Sequence, residues 1–71
     1  MTDTEMLQAI ILKSGYKRSR IAQRMGITRA ALNNKINNKS EFKQSEIEAL
    51  CNILGIKNRE RNAIFFKSIG D

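Results

Sequence analysis

Seventy-one residues, 13 of them basic and 7 acidic, give a net charge of +6 with no histidine, no proline and a single cysteine. One small domain over residues 1–71 is the most such a length supports, and at this size only about 60% of the unfolded surface is buried. The inventory excludes a histidine–cysteine zinc site, a Ser-His or Cys-His couple and an intrachain disulfide.

The first helix is expected to open on Thr2-Asp3-Thr4-Glu5, which has the Ser/Thr-x-x-Glu spacing of a capping box. Met6, Leu7, Ile10 and Ile11 then form an apolar stripe, and Gly15 suits a left-handed stop. Tyr16 lies in the connection. The acids here are not the basic head of a signal peptide, and the apolar run Ala9–Leu12 is too short to span a bilayer. A soluble chain with no membrane association is expected, and lone Cys51 fits a reducing cytoplasm.

A second helix is predicted from Lys17 or Arg18 to Met25, with Ile21, Ala22 and Met25 inward. Small Ala22 marks a close helix crossing. Gly26 supplies a positive φ, Thr28 is a candidate N-cap, and a third helix continues to about Ile36. Asn37-Asn38 ends it, since asparagine tolerates the left-handed region.

Phe42 and Ile47 have the spacing of a hydrophobic staple around a fourth helix, Gln44 to Leu54, with Lys43 at the cap, Glu46 at N3 and Gly55 beyond. Its stripe is Ile47, Leu50, Cys51 and Leu54, with Cys51 a small buried hydrophobe. A fifth helix is expected from Asn58 or Arg59 to about Ser68, carrying Ile64, Phe65, Phe66 and Ile69. Two adjacent phenylalanines on one helix cannot both enter a small core, so Phe65, Phe66 and Ile69 are the expected dimer surface.

The charge is sorted along the chain. Residues 13–43 hold nine bases (Lys13, Lys17, Arg18, Arg20, Arg24, Arg29, Lys35, Lys39 and Lys43) against Glu41 alone. That is the footprint of a partner with a phosphate backbone. The outer face of the third helix offers Thr28, Arg29, Ala30, Asn33 and Asn34 as base-reading candidates. Arg29 has the fork that matches guanine O6 and N7, Asn33 or Asn34 the amide that matches adenine N6 and N7, and Ala30 allows close approach to a thymine methyl. Positions 29 and 33, like 30 and 34, share a face. Lys17, Arg18 and Ser19 at the second helix's start, and Asn37, Lys39, Ser40 and Lys43 beyond the third, are the phosphate set. No cofactor or metal is expected. An enzyme is not expected either, because the carboxylates are unpaired and no nucleophile has a base.

Read together, RIAQRMGITRAALNNKI and the following NNKSEFKQSEIEALCNILGI resemble the helix-turn-helix of phage Cro and repressor proteins (the XRE-like family). The resemblance extends from Leu7 to Phe66, with Ala22, Gly26 and Ile27 its most specific marks. It implies an all-α, compact five-helix lambda-repressor-like DNA-binding domain whose second and third helices form the helix-turn-helix. It also implies operator DNA as partner, read with the third helix by a homodimeric transcriptional regulator. Three positions depart from the pattern: Lys35 stands for an aliphatic residue, Asn38 for a glycine and Lys43 for a hydroxyl cap. The alternative is a small antirepressor or modulator that sets its basic face against a partner repressor protein. An antitoxin is a weaker third reading, since no toxin-wrapping tail follows the fifth helix.

Overall fold

The computed structural model describes residues 1–66. Five helices follow in order: α1 (Thr4–Ser14), α2 (Arg18–Met25), α3 (Arg29–Ile36), α4 (Gln44–Leu54) and α5 (Asn58–Phe65). There is no strand among the described residues. α2 packs on α3 and α4, while α1 crosses α3, α4 and α5 from the other side.

The break between α2 and α3 is a backbone event. Gly26 takes φ +75°, its N–H donates to the Gln23 carbonyl (3.2 Å), and the Ile27 N–H reaches back to Ala22 O (3.0 Å). That pair of bonds satisfies carbonyls a helix end leaves open. A Cβ on Gly26 would meet nothing within 4 Å, so the position requires glycine for its dihedral angle rather than for space. Thr28 then caps α3 by accepting the Ala31 N–H at 3.0 Å. At the start of α4 the Lys43 side chain caps nothing, and Glu46 Oε1 instead accepts the Lys43 N–H at 2.8 Å. Only the carboxylate half of a capping box therefore forms, and the half in which a hydroxyl would accept the N3 N–H is not supplied by Lys43.

The core gathers Leu7 and Ile11 of α1, Ile21 and Ala22 of α2, Leu32 and Ile36 of α3, and Ile47, Leu50 and Cys51 of α4, with Ile56, Ile64 and Phe65. Phe42 packs its ring edge-on against Phe65, with centroids 5.3 Å apart at 82°. Burial raises the Cys51 thiol pKa above its ordinary value, against a smaller opposing pull from the Arg61 guanidinium. Met6, expected inward, is exposed, because Leu7 and Ile11, one turn apart, already fill the strip facing the core. Ile10 is half-buried and packs at the core's edge.

The N-terminus differs from expectation in an instructive way. Asp3, not Thr2, caps α1, accepting the Met6 N–H at 3.1 Å. Thr2 meets a tertiary partner through its backbone, and Thr4 through its hydroxyl. The Thr2 N–H donates to Asn38 Oδ1 (2.9 Å), Asn38 Nδ2 donates back to Thr2 O (2.9 Å), and Thr4 Oγ1 donates to the Ile36 carbonyl (2.6 Å). The Asp3 N–H meets Ile64 O at 2.6 Å. Residues 2–4 thus fasten the ends of both α3 and α5. At the far end, α5 is described to Phe65 with Phe66 at its C-cap, and the expected bound at Ser68, like Ile69, lies outside the described residues.

Asn38 is the only non-glycine residue with positive φ (62°) among those described. Asn38→Gly relieves that backbone cost but deletes the two-way amide bond to Thr2. We expect it to lower stability by about 1 kcal/mol in urea unfolding; a stabilised variant would show that the backbone cost outweighs the bond.

Candidate nucleic-acid interface

The helix-turn-helix presents its outer face because its inner one is spent. Leu32 and Ile36 are fully buried, which turns Thr28, Arg29, Ala30 and Asn34 outward, all exposed, with Asn33 half-buried at the margin facing α2. Four of the five base-reading candidates therefore share one open surface around the start of α3. The fifth has a partner. Arg18 Nη1 donates to Asn33 Oδ1 at 2.9 Å, joining the first turn of α2 to the middle of α3. Arginine has donors only, so the facing atom must be the amide oxygen. Asn33 keeps its second oxygen lone pair and its N–H donors beside that bond, whereas the exposed Asn34 amide makes no side-chain bond among the described residues.

The phosphate candidates fall on two flanks. Lys17 precedes the first turn of α2 and is exposed, as is Ser19, while Arg18 is half-buried against Asn33. Beyond α3, Asn37, Lys39, Ser40 and Lys43 are all exposed. Their loop is tied to the helix it follows, because the Lys39 and Ser40 N–H groups both donate to Asn34 O, at 2.8 and 3.4 Å. Arg20 and Arg24 are exposed on α2. Only Glu41 supplies negative charge between residues 13 and 43.

Lys35 braces this loop, a role that local spacing did not reveal. Its ammonium lies 3.0 Å from Glu46 Oε1 and donates to the Glu41 carbonyl at 2.9 Å, with both side chains of the ion pair only 12% exposed. Ile36 beside it is fully buried in the core. Burial alone would raise the Glu46 carboxyl; the Lys43 N–H, the Lys35 hydrogen bond and the charges of Lys35 and Lys43 overcome that and hold its pKa below the ordinary value.

The dimer set divides. Phe65 is buried, its ring committed to Phe42, and is no free surface. Phe66 is 50% exposed beside Met1 and borders a shallow groove floored by Phe42, Ile47 and Phe65. Ile69 lies outside the described residues.

The family model of the Cro/C1-type HTH DNA-binding domain matches residues 6–60, and the chain belongs to that family. The matched stretch runs from α1 into α5 and includes every base-reading and phosphate candidate, but neither Phe65 nor Phe66. Comparisons with curated proteins and with solved structures gave no match. No described helix is long and apolar enough to cross a membrane.

The brace sets an acid limit on the interface. With its folded pKa lowered, Glu46 contributes stability that is fully present above its unfolded value and lost as pH falls through the folded one. Glu46→Gln should therefore cost about 1 kcal/mol at pH 7, and the cost should shrink as the pH falls below the ordinary carboxylate range and through the lowered folded pKa. A series of denaturant titrations across acid pH checks this, and a loss that stays constant down to acid unfolding would show that the carboxylate's charge is immaterial.

Proposed function

We propose that this Cro/C1-type domain is a sequence-specific transcriptional regulator, a Cro-like repressor of phage or prophage type that reads an operator's major groove with α3. The observation that carries this reading is the outward row Thr28, Arg29, Ala30 and Asn34, flanked on both sides by exposed bases and small donors. An α-helix fits the major groove, where each base pair shows its own pattern of donors and acceptors. Arg29 takes guanine O6 and N7, Asn33 or Asn34 the adenine edge, and Ala30 clears space for a thymine methyl. Thr28, its oxygen already capping α3, offers its hydroxyl proton. Lys17, Arg18 and Ser19 hold the backbone on one side; Asn37, Lys39, Ser40 and Lys43 hold it on the other. Six such contacts correspond to a log–log salt slope of roughly −5.

One α3 covers only a few base pairs, so useful specificity requires a homodimer on two half-sites about one helical turn apart. Phe66 with Met1, both exposed, is the apolar surface that supports pairing.

Two experiments test these claims. Selection of duplexes from a random pool should return an inverted repeat whose binding weakens by about 1–3 kcal/mol on Arg29→Ala and falls steeply with salt. A pool without enrichment, with weak binding to every duplex, would overturn the operator reading in favour of the partner-binding modulator. Phe66→Glu should yield a monomer in sedimentation velocity with its helical circular dichroism intact, whereas an unchanged dimer, or an unfolded chain, would remove Phe66 from the interface.

A further inference from the structure

We propose that the recess at the end of α1 is a docking site for an acidic segment of a partner protein, in which Leu12 grips one apolar side chain and Arg18 takes a neighbouring carboxylate. Because Arg18 also belongs to the phosphate set, the same contact excludes DNA. Only that exclusion rests on the operator reading above.

The site begins with a side chain that the fold leaves over. Leu7 and Ile11 supply the core strip of α1, and Leu12, next to Ile11, is 84% exposed. One exposed leucine is ordinary on a protein surface. Leu12 differs because it borders a recess of about 280 Å³, lined also by Gln8, Ile11, Gly15, Tyr16 and Arg18. That volume fits a side chain or two of a partner and is small for an enclosed ligand. The rim is also firm. Ser14 Oγ donates to Ile11 O at 2.6 Å and accepts the Tyr16 N–H at 3.1 Å, which fixes the chain as it leaves α1. Tyr16 is exposed, and its hydroxyl makes no bond to a described residue, so it has a proton to offer a partner's oxygen.

Charge decides the kind of partner. From Met6 to Ser40 the chain carries eight bases and no acid. No carboxylate lines the recess, and Glu5, on the same side of α1, stands about 10 Å of helix rise from Leu12. A second copy of this chain would set like charge against like, so self-pairing at this face is disfavoured. A phosphate backbone satisfies the cations but gives Leu12 nothing to bury against. An acidic segment with one large apolar side chain does both. Arg18 spends Nη1 on Asn33 Oδ1 and keeps further N–H donors, enough for the two oxygens of a carboxylate. A carboxylate seated there occupies the donors that a phosphate would need.

The test selects binders of the full chain from a displayed library of random short peptides. Selected peptides are expected to carry Asp or Glu around a single large apolar residue. Leu12→Gln, a surface change to a good helix former, should weaken them about tenfold, while Arg29→Ala binds them nearly as the wild type does. The Gly15 and Tyr16 amide resonances should shift on peptide addition. A library that yields no such peptide would overturn the proposal. So would winners that Leu12→Gln binds equally well, or that lose as much on Arg29→Ala, since they would be counter-ions of a basic surface. Leu12-dependent retention on phosphatidylglycerol vesicles, in place of peptide binding, would assign the face to a lipid surface and overturn it too.

Competition separates docking from the exclusion of DNA. The best peptide should release the duplex enriched in the operator selection, and Arg18→Met should weaken peptide and duplex alike. Peptide and duplex bound together, or a peptide indifferent to Arg18→Met, would overturn the shared use of Arg18. If no duplex is enriched, the operator reading fails and takes the exclusion with it, while Leu12-dependent peptide binding still decides the docking site.

Discussion

The close packing of α2 on α3 is the constraint on which everything at the surface depends. Ile21 and Ala22 on one side, and Leu32 and Ile36 on the other, are excluded from solvent almost entirely. Ala22 permits that approach because it has no bulk to force the helices apart, and a longer side chain there would cost about 1–3 kcal/mol in overpacking. Once the crossing is set, the remaining geometry follows. Gly26 turns the backbone, Thr28 restarts the helix, and the unburied faces of α2 and α3 come to rest side by side. The reach of Arg18 to Asn33 exists only because the two helices are this near.

A domain of this size has little core to spare, so polar groups supply order where apolar area runs out. They are placed at seams rather than in the centre. Asn38 joins the N-terminal residues to the end of α3, Lys35 joins α3 to the first turn of α4, and Arg18 joins α2 to α3. Each bond is shielded enough to hold and close enough to the rim that neither partner is stranded in a dry interior. The consequence is a firm platform for α3 and its following loop, on which preorganised recognition depends.

Much of the architecture was legible in the sequence because it is written in short-range spacing. The glycines at 15, 26 and 55, the threonine at 28 and the glutamate at 46 act within one turn of their own positions. The apolar periodicity placed eight of the core's helical residues without any knowledge of tertiary structure. The polar seams were not legible, because Arg18 and Asn33 stand 15 residues apart, and Thr2 and Asn38 stand 36 apart. No local rule links such pairs. A weaker signal was present: two of the three departures from the pattern the chain otherwise resembles, Lys35 and Asn38, are residues whose side chains bond beyond their own helix. The first helix's cap was misread for a related reason, since the backbone of Thr2 is bonded across the fold to Asn38 and Asp3 caps α1 instead. For the candidate site, spacing alone identified the outward face of α3, but the inequality of its two asparagines is a property of the neighbouring helix.

Cys51 carries a consequence of a different kind. Its thiol is buried in the core, and its proton is held more tightly than in water. Only a thiolate attacks a disulfide or alkylating reagent, so the folded molecule reacts with both more slowly than the unfolded chain does. As the sole sulfhydryl of the chain, it is a native clock for opening. The rate at which a reagent consumes it, compared with the rate for the unfolded chain, gives the free energy of that excursion without any label or engineered probe. Repeated with DNA present, the same clock registers how strongly a bound duplex holds the five helices together.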